Sequence, residues 1–452
     1  MKVQKYIKSI MLLVTIILGI YLIPEESEAA GLTYIKAVQD TPVYSTSGST
    51  KITVGNLLKG QEYALTGSDS QNYHIMFGNG RALISKRNAV VLAKPANQVN
   101  ISYTKPGKSG IITQRKTVIY DKTDKNKRAI AVINTNIRFP VLSKTGEWYR
   151  ISIGNRIGYI PSGNVKEDPG IPVLMYHHML EHPELTAFKN NDMVIPVSAF
   201  EEQMKYLKSD GWKAINGQEL ERYLNHEQVL TGKAVLISFD DGYTSTQKYA
   251  YPILKEHGLK ATQFVIGGRT YTYASPWDEN TLQYLGYREM QEMEDVFDYQ
   301  HHTFGMHLRE SGTLTPYLIL KTYEQIVEDM ERGRQHLGKA TGNPDNIKYL
   351  AYPWGQYDEE TIEAVKAAGI TMAFTTETGN VKLGDNLLKL KRQGIAPRHS
   401  LADFVNKLKG TYVDPRVKKP NPVEKPTEKV VIGNTPQLLD KNAQTVSKGK
   451  QK

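Results

Sequence analysis

Two adjacent aspartates follow a strongly apolar run and are the first residues of this sequence that could do chemistry. The run from Ala234 to Phe239 predicts a buried strand, and Asp240, Asp241 and Gly242 come directly after it. In α/β folds, reactive side chains collect at the carboxyl ends of such strands. If the strand continued, the two carboxylates would point to opposite sides, so that one could bind a metal while the other acted as a base. The alternative, which this segment alone does not exclude, is an ordinary Asp-Gly turn.

A histidine pair, His302 and His307, lies some 60 residues further along the chain. A spacing of five does not place both rings on one helix face, which needs three or four, but they can converge where a strand gives way to a loop. One Asp and two His form a three-ligand set that leaves room for water, as in catalytic metal sites. A chance pair is common in a chain with 11 His. The order of the three segments along the chain is more specific: Asp-Asp-Gly comes first, the histidine pair second, and Tyr352-Pro-Trp-Gly355 third, after another apolar run.

In this order, these segments resemble the motifs of polysaccharide deacetylases of carbohydrate esterase family 4. The resemblance covers residues 171–410 and rests on Ser238-Phe-Asp-Asp-Gly242, the two histidines and Tyr352-Pro-Trp-Gly355. The opening Ile171-Pro-Val-Leu-Met-Tyr-His-His178, and a histidine spacing of five where most of the family has four, are similar to one subgroup. Members of that subgroup deacetylate poly-β-1,6-N-acetylglucosamine, a biofilm exopolysaccharide.

The resemblance implies a role for each motif residue. Asp241, His302 and His307 would hold one divalent metal, with zinc expected and cobalt, nickel or iron as alternatives. The charge of that metal would lower the pKa of a water molecule that it binds. Asp240 would take the proton from that water as it attacks the acetamide carbonyl. The backbone N–H of Trp354 would help to stabilise the oxyanion.

The general acid that protonates the leaving amine is predicted near the start of the domain. His177 is the candidate, and His178 is the competing choice, which we expect to serve in packing or in supporting its neighbour. The Leu-x-His that furnishes the acid in much of the family is missing near the C-terminus. This absence agrees with the subgroup, in which the acid comes from the N-terminal histidine. We expect His399 to be a solvated loop residue.

The sequence also departs from the family pattern in the third and fourth motifs. Much of the family carries an Arg two positions before the Pro of the third motif, where it orients the base, but here that position is Ala351. Arg392 could supply this charge from another strand. The Asp and Trp of the usual fourth motif are not visible in the segment Thr375-Thr-Glu-Thr378.

Charge is distributed unevenly along the chain, whose net charge is +10. Residues 31–167 carry a net charge of +13, residues 168–410 a net −8, and residues 411–452 a net +5. A basic N-terminal half predicts attraction to a polyanion. For an exported protein, the expected partner is wall teichoic acid or another surface polymer rather than nucleic acid. The alternative is a basic surface that only keeps the protein soluble.

Residues 31–167 contain one unit twice, at an offset of 76 residues. The matched pairs are Tyr44 and Tyr120, Tyr73 and Tyr149, Gly78-Asn79 and Gly154-Asn155, and Ile84 and Ile160. Short alternating apolar runs bounded by Gly and Asn turns predict small all-β units. The pattern resembles bacterial SH3-like domains, which often bind cell-wall glycan or peptide. The aromatic side chains could form a binding groove or serve only in sheet packing.

The region from residue 169 to 410 alternates strands and helices. The predicted strands are 173–176, 234–239, 261–266, 348–352 and 372–376, and the predicted helices are 198–208, 217–225, 245–257, 316–340, 358–368 and 401–408. This alternation favours a parallel sheet, and its length suits a (β/α) barrel, which the family resemblance implies to be an irregular seven-stranded one. The predicted fold is therefore multidomain, with two small all-β SH3-like barrels followed by an α/β irregular (β/α)7 barrel. The predicted segments are a signal peptide 1–29, SH3-like domains 30–96 and 97–168, a catalytic domain 169–410, and a disordered basic tail 411–452.

The N-terminal segment predicts export. Three lysines precede an apolar core from Ile10 to Ile23, and Ser27-Glu-Ala29 is a small-x-small cleavage site. The core falls short of a membrane span, although retention as an uncleaved anchor is the alternative. The chain has no Cys, so it has neither a disulfide nor a lipid-anchor cysteine. We expect a monomeric protein that is secreted or associated with the cell wall of a Gram-positive bacterium.

The leading hypothesis is a metal-dependent N-deacetylase that acts on a β-linked N-acetylglucosamine polymer outside the cell. Poly-β-1,6-N-acetylglucosamine is the first expected substrate, and peptidoglycan glycan is the second. A wall- or glycan-binding protein with weak catalysis is the non-enzymatic alternative, kept open by the missing Arg and fourth motif. An O-acetyl or xylan esterase is a third hypothesis, because the same metal site would support it.

Overall fold

The computed structural model describes residues 33–47, 50–93 and 109–416. The described residues up to Tyr412 belong to one compact unit, and a second unit begins at Val413. The predicted signal peptide, the boundary between the two repeats and most of the predicted tail lie outside the described residues. Within the described ranges, no helix is long and apolar enough to span a membrane.

Each N-terminal repeat contains eight strands, and the second repeat follows the first strand for strand at the predicted offset. The first repeat comprises β1 (Tyr34–Ala37), β2 (Thr41–Ser47), β3 (Thr50–Leu57), β4 (Glu62–Ala64), β5 (Gly67–Ser68), β6 (Asn72–Phe77), β7 (Gly80–Ser85) and β8 (Ala89–Leu92). The second comprises β9 (Gly110–Thr113), β10 (Thr117–Tyr120), β11 (Ala129–Ile133), β12 (Arg138–Pro140), β13 (Ser143–Thr145), β14 (Trp148–Ile153), β15 (Arg156–Pro161) and β16 (Val165–Glu167). The all-β prediction for this region is therefore confirmed.

The two repeats join in one closed antiparallel sheet instead of forming two separate barrels. The ring runs β14-β15-β10-β11-β3-β2-β7-β6 and returns to β14. Asn56 lies opposite Val132 where β3 meets β11, and Phe77 lies opposite Ile153 where β6 meets β14. Both pairs join residues 76 positions apart, so both lie on a pseudo-twofold axis that relates the repeats.

The repeats also share one hydrophobic core. Phe77 packs on Phe139 of the other repeat, with ring centroids 5.5 Å apart. Gly154 adopts φ 53°, and a Cβ there would lie 2.6 Å from the ring of Tyr63, so only glycine fits. The likeness of a single repeat to an SH3-like domain stays a prediction; the buried hydrophobic residues of both repeats belong to one cluster.

The following region is a closed parallel barrel, as predicted. Its strands are β17 (Val173–Tyr176), β18 (His178–Leu180), β19 (Val194–Pro196), β20 (Lys213–Ile215), β21 (Ala234–Phe239), β22 (Ala261–Val265), β23 (Phe297–His301), β24 (Tyr349–Ala351), β25 (Met372–Thr378) and β26 (Leu390–Gly394). β17 pairs with both β21 and β26, so that β17 and β21 to β26 close into a seven-stranded ring. β20 adds to the start of β21, and β18 and β19 form a separate pair. β18, β19, β20, β23 and β26 were absent from the strands expected from the sequence.

Helices cover the barrel close to the predicted positions. They are α1 (Val197–Ser209), α2 (Gly217–Leu224), α3 (Tyr251–His257), α4 (Tyr287–Glu292), α5 (Tyr317–Leu320), α6 (Tyr323–Thr341), α7 (Glu359–Ala367) and α8 (Leu401–Leu408). The helix predicted at 316–340 is two helices, α5 and α6. Thr322 caps the N-terminus of α6, because its side chain accepts the N–H of Gln325. The helix predicted at 245–257 begins with a π-helical turn at Thr246–Ala250 before α3.

Buried polar contacts attach the second repeat to the barrel. The guanidinium of Arg138, 1% exposed, pairs with Asp168 and donates to the carbonyl oxygens of Thr231 at 3.0 Å and Gly232 at 3.1 Å. A buried charge is tolerated only when it is paired and hydrogen-bonded in this way. The predicted domain boundary at residue 168 thus falls inside a buried network.

Candidate active site

The two aspartates lie where β21 ends, and the chain turns between them. Asp240 is 2% and Asp241 8% exposed. The strand does not continue through both residues as the sequence suggested. Instead Asp241 adopts φ 72° and Gly242 φ 79°, so the backbone reverses and the two carboxylates meet different partners.

Asp241, His302 and His307 come together as one ligand group. Oδ1 of Asp241 lies 3.4 Å from Nε2 of His302 and 3.2 Å from Nε2 of His307. The three ligand atoms all lie within 4.8 Å of one another, and no other such group of three or more His, Asp or Glu occurs in the described ranges. Nδ1 of His302 donates to the carbonyl of Ala351 at 2.7 Å, so its Nε2 is the nitrogen that faces Asp241.

This donor set fits a divalent metal. Two imidazole nitrogens and one carboxylate oxygen are ligands that zinc accepts, and three protein ligands leave a position for water. A backbone carbonyl that fixes the ring of a ligating histidine is the usual supporting contact. Burial alone would raise the pKa of Asp241, but hydrogen bonds with His302 and His307 hold it well below its ordinary range. The carboxylate is therefore in the charged form that a metal requires.

Asp329 on α6 holds the loop that carries His307. Its two carboxylate oxygens accept the backbone N–H of Phe304 at 2.8 Å and of Gly305 at 2.6 Å. These residues lie between the two histidines, in the stretch where the spacing is five. The contact explains how both rings reach the same point without sharing a helix face. No local sequence pattern indicated this contact, because Asp329 lies on an amphipathic helix that is distant in sequence.

Arg392 on β26 contacts Asp240 directly. Its Nη1 and Nη2 donate to the two carboxylate oxygens at 2.7 and 2.8 Å, and its Nε donates to the carbonyl of Thr375 at 2.9 Å. The guanidinium is fully buried. Burial would raise the pKa of Asp240, but the charge of Arg392 brings it below its ordinary value. Arg392 thus provides the positive charge beside Asp240 that Ala351 cannot provide.

His177 follows β17 and lies beside the same carboxylate. Its Nε2 is 3.9 Å from Oδ2 of Asp240, and its side chain is 11% exposed. Burial lowers the pKa of His177, and the charge of Asp240 offsets part of that effect. An imidazole beside a carboxylate can exchange a proton with a group bound at the site.

The other two histidines named from the sequence lie in packed surroundings. His178 is 2% exposed, and its Nδ1 lies 2.8 Å from the hydroxyl oxygen of Ser245. Burial lowers its pKa to about 4. The expectation for His399 was wrong, because it is only 9% exposed and its Nδ1 accepts the N–H of Ala396 at 3.0 Å. This side chain closes the turn before α8 instead of pointing into solvent.

Trp354 stands at the edge of the ligand group. Its ring lies 4.5 Å from that of His307, centroid to centroid, and the guanidinium of Arg309 lies 4.3 Å above it. The residue adopts φ 54° in the turn after β24. A bulky residue in this region is a backbone outlier of the kind that clusters at functional sites.

A tyrosine that the sequence analysis did not single out also contacts the ligand group. Tyr243 is hydrogen-bonded to Asp241, and burial together with the Asp241 charge raises its pKa. Its ring packs on Tyr284 at 5.3 Å, and the hydroxyl of Tyr284 accepts a hydrogen bond from Arg269. The position of Tyr243, directly after Asp-Asp-Gly, is the only local signal that could have indicated it.

We expect Asp241→Ala and His307→Ala to lose the bound metal, because each removes one of three protein ligands. Metal content of the purified proteins, measured by mass spectrometry after loading and dialysis, checks this. His182→Ala is the control, since His182 is exposed and pairs with Glu184. Stoichiometric metal in both ligand variants would contradict the assignment.

Asp329→Asn should weaken metal binding by ~10–100-fold, the usual effect of losing a contact that positions a ligand. An amide can accept only one of the two N–H groups with its oxygen. The metal dissociation constant, obtained by competition with a chelator, measures this. Glu331→Gln on the same helix, whose carboxylate pairs with Arg334, should bind metal as the wild type does. Equal affinities for all three proteins would exclude the positioning role.

Arg392→Lys should lower kcat by ~10–100-fold while metal content stays intact, because lysine keeps the charge but not the two-point contact that orients Asp240. Steady-state kinetics on a soluble acetylated oligosaccharide, together with metal analysis, test this. Arg398→Lys, which alters an exposed pair with Asp192, is the matched control. A kcat equal to that of the control would show that orientation by Arg392 is dispensable.

Comparison with known proteins identifies a family and relatives of this chain. The polysaccharide deacetylase family model matches residues 227–373. The Bacillus subtilis (strain 168) protein YxkH, whose name provisionally places it among the polysaccharide deacetylases, is 30% identical over 245 residues, which are 54% of this chain and 76% of YxkH. The poly-β-1,6-N-acetyl-D-glucosamine N-deacetylase of Staphylococcus aureus (strain MRSA252) is 27% identical over 191 residues, which are 42% of this chain and 63% of that enzyme.

Among solved structures, the Streptococcus pyogenes deacetylase PplD, in complex with acetate, is 26% identical, with a TM-score of 0.45. The alignment covers 53% of this chain and 97% of PplD. The match to YxkH extends over three quarters of that protein. The chain therefore belongs to the polysaccharide deacetylase family.

Proposed function

We propose that the protein removes N-acetyl groups from a β-linked N-acetylglucosamine polymer outside the cell, with poly-β-1,6-N-acetylglucosamine as the substrate. The observation that carries this proposal is the convergence of Asp240, Arg392 and His177 beside the group Asp241, His302 and His307. The name and 27% identity of the Staphylococcus aureus enzymes support the choice of polymer. The chain spans 63% of the length of those enzymes, so the polymer is a proposal for this protein.

In the proposed reaction, water attacks the acetamide carbonyl, the carbon–nitrogen bond breaks, and acetate and a free amine leave. Asp241, His302 and His307 would hold a divalent ion, which would supply Lewis-acid activation of the carbonyl and of the attacking water. Asp240 accepts the proton of the attacking water, while Arg392 keeps its carboxylate ionised and oriented. The backbone N–H of Trp354 donates to the developing oxyanion. His177 donates a proton to the nitrogen of the leaving amine.

The proposed location and partner rest on the residue pattern of the predicted signal peptide and on the charge of residues 31–167. The predicted signal peptide at residues 1–29 supports export. The net charge of +13 over residues 31–167 supports attachment to an anionic polymer of the cell surface. The same basic region keeps peptidoglycan glycan as the second candidate substrate, because it would bring the barrel close to the wall.

Free amine released from each polymer by the full-length protein, with added Zn²⁺, tests the proposed activity. We expect amine from poly-β-1,6-N-acetylglucosamine, and a loss of ~10²–10⁴-fold in Asp240→Asn, the usual contribution of a general base. Acetate release from an acetylated xylan without amine release from either glucosamine polymer would identify an O-acetyl esterase instead. Amine from peptidoglycan alone would change the substrate but not the chemistry.

His177→Ala should lose activity on acetamide substrates while metal content stays intact, because His177 is not a ligand. The loss should be smaller on activated aryl acetates, whose leaving groups need little protonation. Parallel rates on the two substrate types, with His178→Ala as the neighbouring control, separate proton donation from positioning. Equal losses on both substrate types would place the general acid elsewhere.

A further inference from the structure

The outer face of the second repeat carries a cluster of aromatic and cationic side chains. Tyr120, Tyr159 and Arg150 lie side by side on β10, β15 and β14, in register across the sheet. Trp148, two residues before Arg150, points to the same side and contacts Tyr120 edge to face, with centroids 5.7 Å apart. Nζ of the exposed Lys127 lies 5.5 Å from the centroid of the Tyr120 ring. These five residues are called the second-repeat face below.

The first repeat provides an internal comparison, because its strands follow the same path. The residues that correspond to Tyr120 and Lys127 are Tyr44 and Lys51, and they form the same cation–π pair. The other three positions differ, since Trp148, Arg150 and Tyr159 correspond to Asn72, His74 and Leu83. Both repeats close the same ring and fill the same core. The fold therefore does not require these three side chains on the second repeat.

At two positions, the second repeat also carries more positive charge than the first. In the first repeat, His74 lies 3.0 Å from a carboxylate oxygen of Asp69. In the second repeat, the position of Asp69 is Thr145, and the position of His74 is Arg150. Nε of Arg150 is buried and has no hydrogen-bond partner among the described residues. An imidazole–carboxylate pair in the first repeat thus corresponds to a permanently charged guanidinium in the second.

Among the described residues, no carboxylate forms an ion pair with Arg150, and that of Glu147, next to Trp148, accepts the hydroxyl of Ser162 at 2.9 Å. Asp121 pairs with Arg128 at 3.0 Å, and Asp124 lies 3.8 Å from Lys122. Arg150 and Tyr120 are separated by two strand spacings, which is roughly 10 Å. Lys127 lies next to Tyr120, so the second-repeat face has one cation, Lys127, near Tyr120 and another, Arg150, on the far side of Tyr159. This spacing suits a ligand with repeated anionic groups.

We propose that the second-repeat face binds a phosphodiester-linked surface polymer, such as a polyol phosphate. The guanidinium of Arg150 pairs with one phosphate, because its planar fork matches phosphate oxygens in a two-point contact. Lys127 contacts a phosphate further along, and the rings of Trp148, Tyr159 and Tyr120 pack on the polyol or sugar between them. The inference rests on the proposed attachment of the repeats to an anionic polymer, and it names the face and the chemistry.

An exchange between the two repeats tests this inference in the full-length protein. The double variant Thr145→Asp, Arg150→His gives the second repeat the pair that the first already carries in the same fold. Binding to a fluorescent oligo(glycerol phosphate) is measured by anisotropy at low and physiological salt. We expect affinity to fall by ~10–100-fold, which corresponds to one lost charge-assisted contact. The reciprocal variant Asp69→Thr, His74→Arg is the matched control and should bind at least as tightly as the wild type.

Two comparison ligands identify the chemistry. An uncharged N-acetylglucosamine oligomer of equal length and a polyglutamate should both bind more weakly than the polyol phosphate. Trp148→Asn, which copies Asn72, should also weaken binding, and a thermal melt shows whether each variant is folded. Amine release from a soluble acetylated oligosaccharide should be unchanged in all of them, so failure here is distinct from failure of the deacetylase proposal. Unchanged affinity in both the double variant and Trp148→Asn, or equal binding of the uncharged oligomer, would overturn the inference.

Discussion

Asp241, at the end of strand β21, adopts a left-handed backbone conformation, with φ 72°. For most residues this conformation costs roughly 1–2 kcal/mol, although Asp tolerates it better because its short side chain can hydrogen-bond locally. Asp241 therefore presents its carboxylate to the two histidines while Asp240 faces Arg392. Thr303 and Trp354, at the other strand ends of the site, also have positive φ. The remaining geometry of the ligand group follows from these three turns, which the packed barrel must hold in place.

Those parts of the site that depend on local sequence could be predicted. The apolar run before Asp240 and the position of the two histidines are visible in a short window. The partners of these residues are not, because Arg392 and Asp329 approach from elements 152 and 25 or so residues away in sequence. Strands β23 and β26 escaped prediction for a related reason. They carry polar residues such as Gln300 and Arg392 on positions that are buried in the ring, so no apolar pattern marks them.

The repeats show the complementary case, in which the secondary structure was predictable and the assembly was not. Alternating apolar residues revealed short strands and an offset of 76 residues. Whether each repeat closes on itself depends on the strand edges, and the sequence pattern says little about these. The observed ring uses the edges of β3 and β6 to meet their equivalents β11 and β14. The outer face stayed free to diverge, since the ring constrains mainly the side chains that point inward.

The pseudo-twofold axis has a consequence for the origin of this architecture. One repeat alone would leave the edge of β3 and the end of β6 beyond its pairing with β5 without partners, and exposed edges of this kind pair readily with another chain. Because each edge here pairs with its own equivalent, two identical molecules of a single repeat could complete the same ring around a symmetric interface. The covalent duplication then resembles a homodimer whose subunits were fused. In the fused chain the two halves can contact the barrel through different residues: the second repeat uses Arg138, where the first has Glu62, and the first repeat uses Asn79, whose amide donates to the carbonyl of Tyr223 at 2.7 Å.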